Sequence, residues 1–409
     1  MQTHPGTVED EDMDRKYSAA DLRSGALTWT GCRCLPALLR TAALSWLLLA
    51  GPALAPAAAQ NNVTEELALG NIEGRERTRR AYPFAYYTPE TEFAFGAGGI
   101  VTFYTSQTEL DLRPSKVTLS GYYSTRGQFS FSESTDLYFD ENRLKIAVPL
   151  SFGSLVDKYW GQGNQAPDVT NDEYDVVLIE GSITVEMESG MPGFARDGFL
   201  YRASYRDIQD RKENPNLTDE TIGVDGGFSS GFGFDFVADS REHIFWPEGG
   251  GFSELNFVWY APLFGSDFRF SELDFDLRRY VSAGSNGVVA FQVKLDMVFG
   301  EVPFYEMPGI GGSNIMRGYY TGRYRDRTAL AGQLEYRKLL FWRVGAVAFA
   351  GLGDVFGSDY GDTNFSDLKY SLGGGLRFLF NKAQKINLRV DLGFGAGSSG
   401  LYFGLEEAF

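Results

Sequence analysis

The sequence predicts an all-β chain: a transmembrane antiparallel β-barrel of sixteen strands. Three observations predict it. Apolar residues recur with period two along most of the chain. Glycine (49) and aromatics (15%) are abundant at a mean hydropathy of only -0.21. One apolar run stands near the N-terminus. A helical membrane bundle needs repeated apolar runs of about 20 residues, whereas a membrane barrel fills only alternate positions with apolar side chains.

The N-terminal run comes first in order. Leu35 to Leu39, Arg40 and then Thr41 to Ala50 lead into a Pro/Ala segment ending Ala57-Ala58-Ala59. Small residues at Ala57 and Ala59 form an A-x-A cleavage site before Gln60, with Arg33 and Arg40 as the positive region, so residues 1–59 read as an N-terminal extension and export signal. Arg40 leaves the apolar core too short for a membrane anchor. The stretch before Leu35 is long and acidic for a signal, which points to a start at Met13 or later.

Cleavage leaves 350 residues. The presequence holds five of the 37 Lys+Arg and six of the 54 Asp+Glu, so the mature balance is 32 against 48, or -16. Such acidity excludes nucleic acid as a natural partner. Cys32 and Cys34 both precede the cleavage site, so disulfide and thiol chemistry are not expected afterwards. Residues 60–80, with Arg75, Arg77, Arg79 and Arg80, read as a short solvated periplasmic lead-in, and the barrel as 81–409.

Strands are expected near 81–89, 92–105, 115–125, 128–139, 142–153, 174–189, 195–207, 221–238, 250–261, 267–281, 286–300, 328–341, 343–357, 367–380, 384–397 and 400–409. The alternation is plain in Phe291, Val293, Leu295, Met297 and Phe299 against Gln292, Lys294 and Asp296, and in Leu388, Val390 and Leu392 against Asn387, Arg389 and Asp391. A charge facing lipid at mid-bilayer costs about 2–4 kcal/mol, so charges confined to one face imply a polar lumen within an apolar wall. A soluble sheet with one wet face shares this pattern. The export signal and strands of near ten residues that begin and end in aromatics favour the membrane. Connections alternate between short (140–142, 283–285) and long (154–173, 301–327), as periplasmic turns and extracellular loops do. Trp246, Trp259, Phe341 and Trp342 read as interface girdle residues, and Gly96 to Gly99 as a strand bend, not a phosphate loop.

The longest connection carries the most specific motif, Val302-Pro303-Phe304-Tyr305-Glu306 through Gly311-Gly312-Ser313 to Arg317-Gly318-Tyr319. It resembles the sixth extracellular loop of the BamA/TamA superfamily, the bacterial surface antigen type of barrel. There a loop of this form folds back into the barrel, and its Arg contacts the lumen wall. The resemblance gives Arg317, Gly318 and Tyr319 that place. Ala329 to Arg337 looks like the following strand, whose Glu335 faces the lumen between Gln333 and Arg337. A buried guanidinium needs a carboxylate to offset its desolvation, and Glu335 is the natural partner for Arg317. Asp239-Ser240-Arg241, then Pro247 and Gly249, resemble the periplasmic turn before the ninth strand, and Gly404 with Phe409 resemble the C-terminal assembly signal.

Three departures stand out. The inward Asp of the family's next strand falls on Gly351, so Arg317 is expected to lack one partner; Asp354 has the wrong parity to replace it. Glu407 takes a position in the C-terminal signal that is usually apolar. The lead-in 60–80 is too short for a POTRA domain, the periplasmic receptor of client chains, so the chain resembles a member without one.

Within the superfamily the seam between first and last strands opens to template or admit client strands. The resemblance therefore implies protein insertion, translocation or lipid handling at the bacterial outer membrane. Its partners would be outer-membrane lipid, client outer-membrane or surface proteins, and a separate periplasmic protein. A porin or solute channel plugged by 301–327 is the alternative. Catalysis is not expected, because the mature chain's one histidine, His243, sits in the turn motif. No cofactor is expected. Asp359 to Asn364 offers two carboxylates and an amide, which reads as a plain loop in preference to a Ca²⁺ site.

Overall fold

A computed structural model describes residues 77–409 apart from 107, 109–111, 169–170, 192–193, 244, 358–366, 382–384 and 406. The export signal, most of the lead-in and the Asp359–Asn364 stretch lie outside the described residues.

The strands run in chain order. β1 (Thr78–Thr88), β2 (Glu92–Phe103), β3 (Ser115–Ser124), β4 (Phe129–Phe139), β5 (Leu144–Lys158) and β6 (Glu173–Glu188) are followed by β7 (Arg196–Asp210), β8 (Gly226–Asp239) and β9 (Gly251–Tyr260). Then come β10 (Phe270–Ser282), β11 (Gly287–Gly300), the two-residue strands β12 (Gly309–Ile310) and β13 (Tyr324–Arg325), β14 (Thr328–Phe341), β15 (Val344–Phe356), β16 (Lys369–Asn381), β17 (Ile386–Gly395) and β18 (Ser398–Leu405). Sixteen form one antiparallel sheet in which each strand pairs with the next, β11 joining β14 directly; β12 and β13 make a small hairpin inside the long loop. All sixteen expected strands are present. β18 lies beside β1 and nearly closes the barrel, but among the described residues no ladder joins them.

The burial pattern is inverted relative to a soluble sheet. Phe95, Leu334, Leu352, Leu372, Leu376 and Leu392 are exposed on the outer wall, while Glu335, Arg337, Arg377 and Asp391 are buried inside. Water would penalise that outer surface, and a hydrocarbon solvent would not. Trp259, Phe341 and Trp342 are exposed near strand ends, where an aromatic girdle belongs.

Several boundaries differ from the sequence expectation: β1 begins at Thr78, inside the expected lead-in, β5 runs on to Lys158 past the expected 153, and two more differ for packing reasons. β8 begins at Gly226, not 221, because Leu217 and Val224 of the preceding segment are buried against Phe304 and Tyr305 of the long loop. β18 stops at Leu405, not 409, because Ala408 and Phe409 turn inward and pack on Tyr280, Val288 and Ala290. No helix among the described residues is long and apolar enough to cross a membrane.

Candidate functional site in the barrel lumen

The loop 301–327 leaves β11, crosses the lumen and returns to β14. Its first part is pinned to the wall formed by β5 to β7. Phe304 is buried against the rings of Tyr159 and Tyr174, with centroids 4.9 and 5.3 Å away. Glu306 accepts a hydrogen bond from Ser204 Oγ at 2.9 Å, and the Arg206 guanidinium lies over the Tyr305 ring at 5.1 Å. Its second part is pinned to the opposite wall, β14 to β18.

Arg317 is the centre of that second anchor and is fully buried. Its Nη2 donates to Glu335 Oε2, and its Nη1 donates to Asp391 Oδ2 at 2.6 Å. The guanidinium carbon lies over Phe349, 3.5 Å from the ring centroid, which adds a cation–π attraction to the two charged hydrogen bonds. The backbone is held as well: Ser371 Oγ donates to the Arg317 carbonyl at 2.5 Å. Gly318 follows with φ +116°, a conformation that a side chain disfavours, and its N–H donates to Tyr402 Oη at 2.9 Å. A Cβ there would sit 2.6 Å from the Phe394 backbone. The Tyr319 hydroxyl donates to the Tyr370 carbonyl at 2.9 Å and accepts from the Ala396 N–H at 2.8 Å. The Arg-Gly-Tyr tip is thus laid on β17, whose Gly393 and Gly395 leave room for the Arg317 backbone and the Tyr319 ring.

The expected shortage of carboxylates does not occur. Gly351 faces the lumen, but a Cβ there would lie 3.2 Å from Sδ of the fully buried Met316, so the loop itself occupies the space an aspartate would need. Asp391 supplies the second carboxylate from β17 instead. Asp354 takes no part; its carboxylate caps the Val355 N–H at 2.8 Å. Glu407 is buried in the same network: it accepts from Arg377 Nε at 2.7 Å and from Asn387 Nδ2 at 3.1 Å, with Arg337 at 3.9 Å. Arg337 in turn donates to Glu335 at 2.7 Å and to the Phe409 carbonyl at 2.8 Å. Arg377 donates to Asp391 Oδ1 at 2.5 Å, and Arg389 lies 3.7 Å from Asp391. Four guanidiniums therefore surround three carboxylates in a low-dielectric setting, tying loop, wall and C-terminal residues together.

Of the residues singled out from sequence, Arg317 and Glu335 are in direct contact, and Gly318 and Tyr319 sit beside them. Phe409 joins through Arg337, and Gly404 approaches Arg389, whose Nε would lie 3.2 Å from a Cβ at that glycine. The turn motif lies apart from them. Asp239 and Arg241 form a two-pronged pair at 2.9 Å on both oxygens, with Arg241 over the Phe252 ring, while Pro247 is buried elsewhere in the turn. The glycine this turn requires is Gly250, with φ +82° and a virtual Cβ 2.1 Å from the Ser240 carbonyl; Gly249 meets only ordinary contacts. His243 is exposed in that turn. Sequence reading missed Asp391, Arg377 and Tyr402 as members of the site. The signal was Asp391-x-Gly393-x-Gly395, one acid and two glycines on the lumen-facing parity of β17.

An apolar outer wall, a charged lumen and a clamped inner loop define a membrane-spanning β-barrel with a loop folded into its lumen. The chain belongs to the Omp85 superfamily, whose domain it matches over residues 95–409, and so to a family of bacterial outer-membrane barrels. No protein of curated function matches the sequence. Among solved structures it is similar to BamA from Haemophilus ducreyi lacking POTRA domains 1–3, with TM-score 0.56 and 14% identity, over 81% of this chain and 70% of that one. CdiB from Acinetobacter baumannii is similar with TM-score 0.53 and 11% identity, over 80% of this chain and 59% of that one. CdiB from Escherichia coli gives 0.52 and 12%, over 81% and 67%. At these identities the likeness concerns the fold.

Proposed function

We propose that this barrel assists the insertion or translocation of other polypeptides at the outer membrane, using the edge between β1 and β18. The observation that carries the reading is that seam. Every other pair of neighbouring strands is laddered, whereas β1 and β18 lie side by side without a described ladder. Unpaired strand edges present rows of backbone donors and acceptors that template an incoming strand. The clamped loop occupies part of the lumen and braces β18 itself, through Tyr402 to the loop tip, so that the edge works without opening a free pore. Outer-membrane lipid would surround the barrel, client outer-membrane or surface proteins would use the edge, and a separate periplasmic protein would deliver them.

The test is depletion of the protein in its host, followed by proteomics and lipid analysis of the outer membrane. Loss of a defined set of barrels or surface proteins, reproduced by Arg317→Ala, supports the reading. An unchanged envelope with reduced uptake of a solute overturns it in favour of a loop-plugged channel. That second reading draws on the acidic cavity of about 280 Å³ inside the lumen.

A further inference from the structure

β1 carries a proline in its interior. Pro83 stands opposite Ala97 in a ladder that runs without a break from Thr78↔Thr102 to Thr88↔Glu92. Proline has no backbone N–H, so a strand tolerates it only where that nitrogen faces away from the partner. Facing residues of an antiparallel pair alternate between hydrogen-bonded and non-hydrogen-bonded positions. Pro83 and Ala97 are therefore a non-hydrogen-bonded pair, and the Pro83 nitrogen faces the other side, toward β18. Arg79, Ala81, Ala85 and Tyr87 share its parity and turn their N–H groups the same way. The seam-facing edge of β1 thus lacks its central donor. The ring Cδ stands where a carbonyl of β18 would approach.

A second proline shows what such a residue does in this barrel. Pro149 lies inside β5, and the ladder with β4 runs unbroken through Pro149↔Ser134. On the other side of β5 the ladder with β6 stops at Ala147↔Thr184. It resumes in the same register at Leu150↔Gly181, leaving Val148 and Pro149 out of it. β5 and β6 stay together because four pairs on one side of the gap and nine on the other hold the register. β1 has no such reserve. Pro83 leaves five residues on each side, of which two carry seam-facing donors, and β18 spans only eight residues. β18 is laddered to β17 along its whole length, yet it lies beside β1 with no ladder among the described residues.

We propose that Pro83 is the device that keeps the β1–β18 seam unzipped, by removing the central donor from an edge too short to pair around the gap. Its use rests on the function proposed above: an incoming strand is spared the breaking of a completed ladder. Its truth does not, because the state of the seam is measurable with no client present.

The test is hydrogen–deuterium exchange of the purified full-length protein in detergent micelles, read peptide by peptide. Pro83→Val restores the N–H in a residue suited to strands. Exchange in β1 and β18 should slow by about tenfold or more as the seam zips. Pro149→Val is the control and should slow exchange only in β5 and β6. Heat-modified gel mobility reports whether each variant is folded, and Pro83→Ala repeats the test with a smaller side chain. Slowing confined to β1 and β18 supports the proposal. Unchanged exchange of β18 in the folded Pro83 variants, or equal slowing of every strand, overturns it. A barrel that inserts nothing can still pass this test, and one that inserts clients can fail it, so the two readings fall separately.

Discussion

Arg317 and Asp391 meet at 2.6 Å inside the lumen, one from the loop tip and the other from the penultimate strand on which that tip lies, and neither is exposed to solvent. Glu335 takes the other guanidinium nitrogen. Arg377 and Arg389 also approach Asp391, so the carboxylate serves three cations at once. The surrounding charge count makes the two partners unequal. Asp391→Ala leaves four guanidiniums facing two carboxylates, whereas Arg317→Ala leaves three facing three. Breaking a buried ion pair by deleting one partner costs about 3–5 kcal/mol when the survivor is uncompensated. Asp391→Ala should therefore destabilise the barrel by about that amount, and Arg317→Ala by clearly less. Urea unfolding in lipid vesicles measures both, and equal losses would refute the shared-carboxylate account.

Seating of the loop should depend on backbone space as much as on charge. At Gly318 a methyl group would meet the Phe394 and Gly395 backbones at 2.6 and 2.7 Å in a conformation that already disfavours it. Gly318→Ala should cost about 1–3 kcal/mol and lift the tip off β17 with Arg317 intact. Faster proteolysis within 301–327, at unchanged overall fold, is the expected readout. Cleavage at the wild-type rate would mean that the tip is held elsewhere.

Glu407 offers a test of whether the chain end is a lumen element. If position 407 contributed only as part of an apolar C-terminal signal, Glu407→Leu should improve folding. In the structure that substitution strips Arg377 of its 2.7 Å partner and Arg337 of its 3.9 Å neighbour. The folded yield in vesicles, read from the heat-modified gel shift, should therefore fall.

The strands and their parity were legible because lipid outside and charge inside impose a strict period of two. Gln333, Glu335 and Arg337 already announce the lumen face of β14 from sequence. Loop position 317 was legible as well, since its motif is continuous along the chain. Asp391 was harder to see. Its role depends on which strand curves round to face the loop tip, and that follows from barrel closure and the bulk of Met316 at Gly351, not from any local pattern.

The lipid-facing wall makes the last prediction. Leu376 lies midway along β16 with its side chain 60% exposed, while its neighbour Arg377 points inward and is buried. Exchanging the polarity of the outer position alone should expose what solvent that wall meets. Leu376→Arg puts a guanidinium on the outer face near mid-bilayer, where it costs about 2–4 kcal/mol. In water the same change on an exposed strand position would fall within about 0.5 kcal/mol of neutral. Equilibrium unfolding from phosphatidylcholine vesicles should show the larger loss. Leu376→Ala serves as the control for lost side-chain contacts, since it removes the leucine without adding charge. A loss for arginine no greater than that for alanine would mean that β16 does not face hydrocarbon. A loss several-fold greater would fix the membrane at the level of the Arg317 clamp, since Arg377 of the same strand pairs with the carboxylate that holds it.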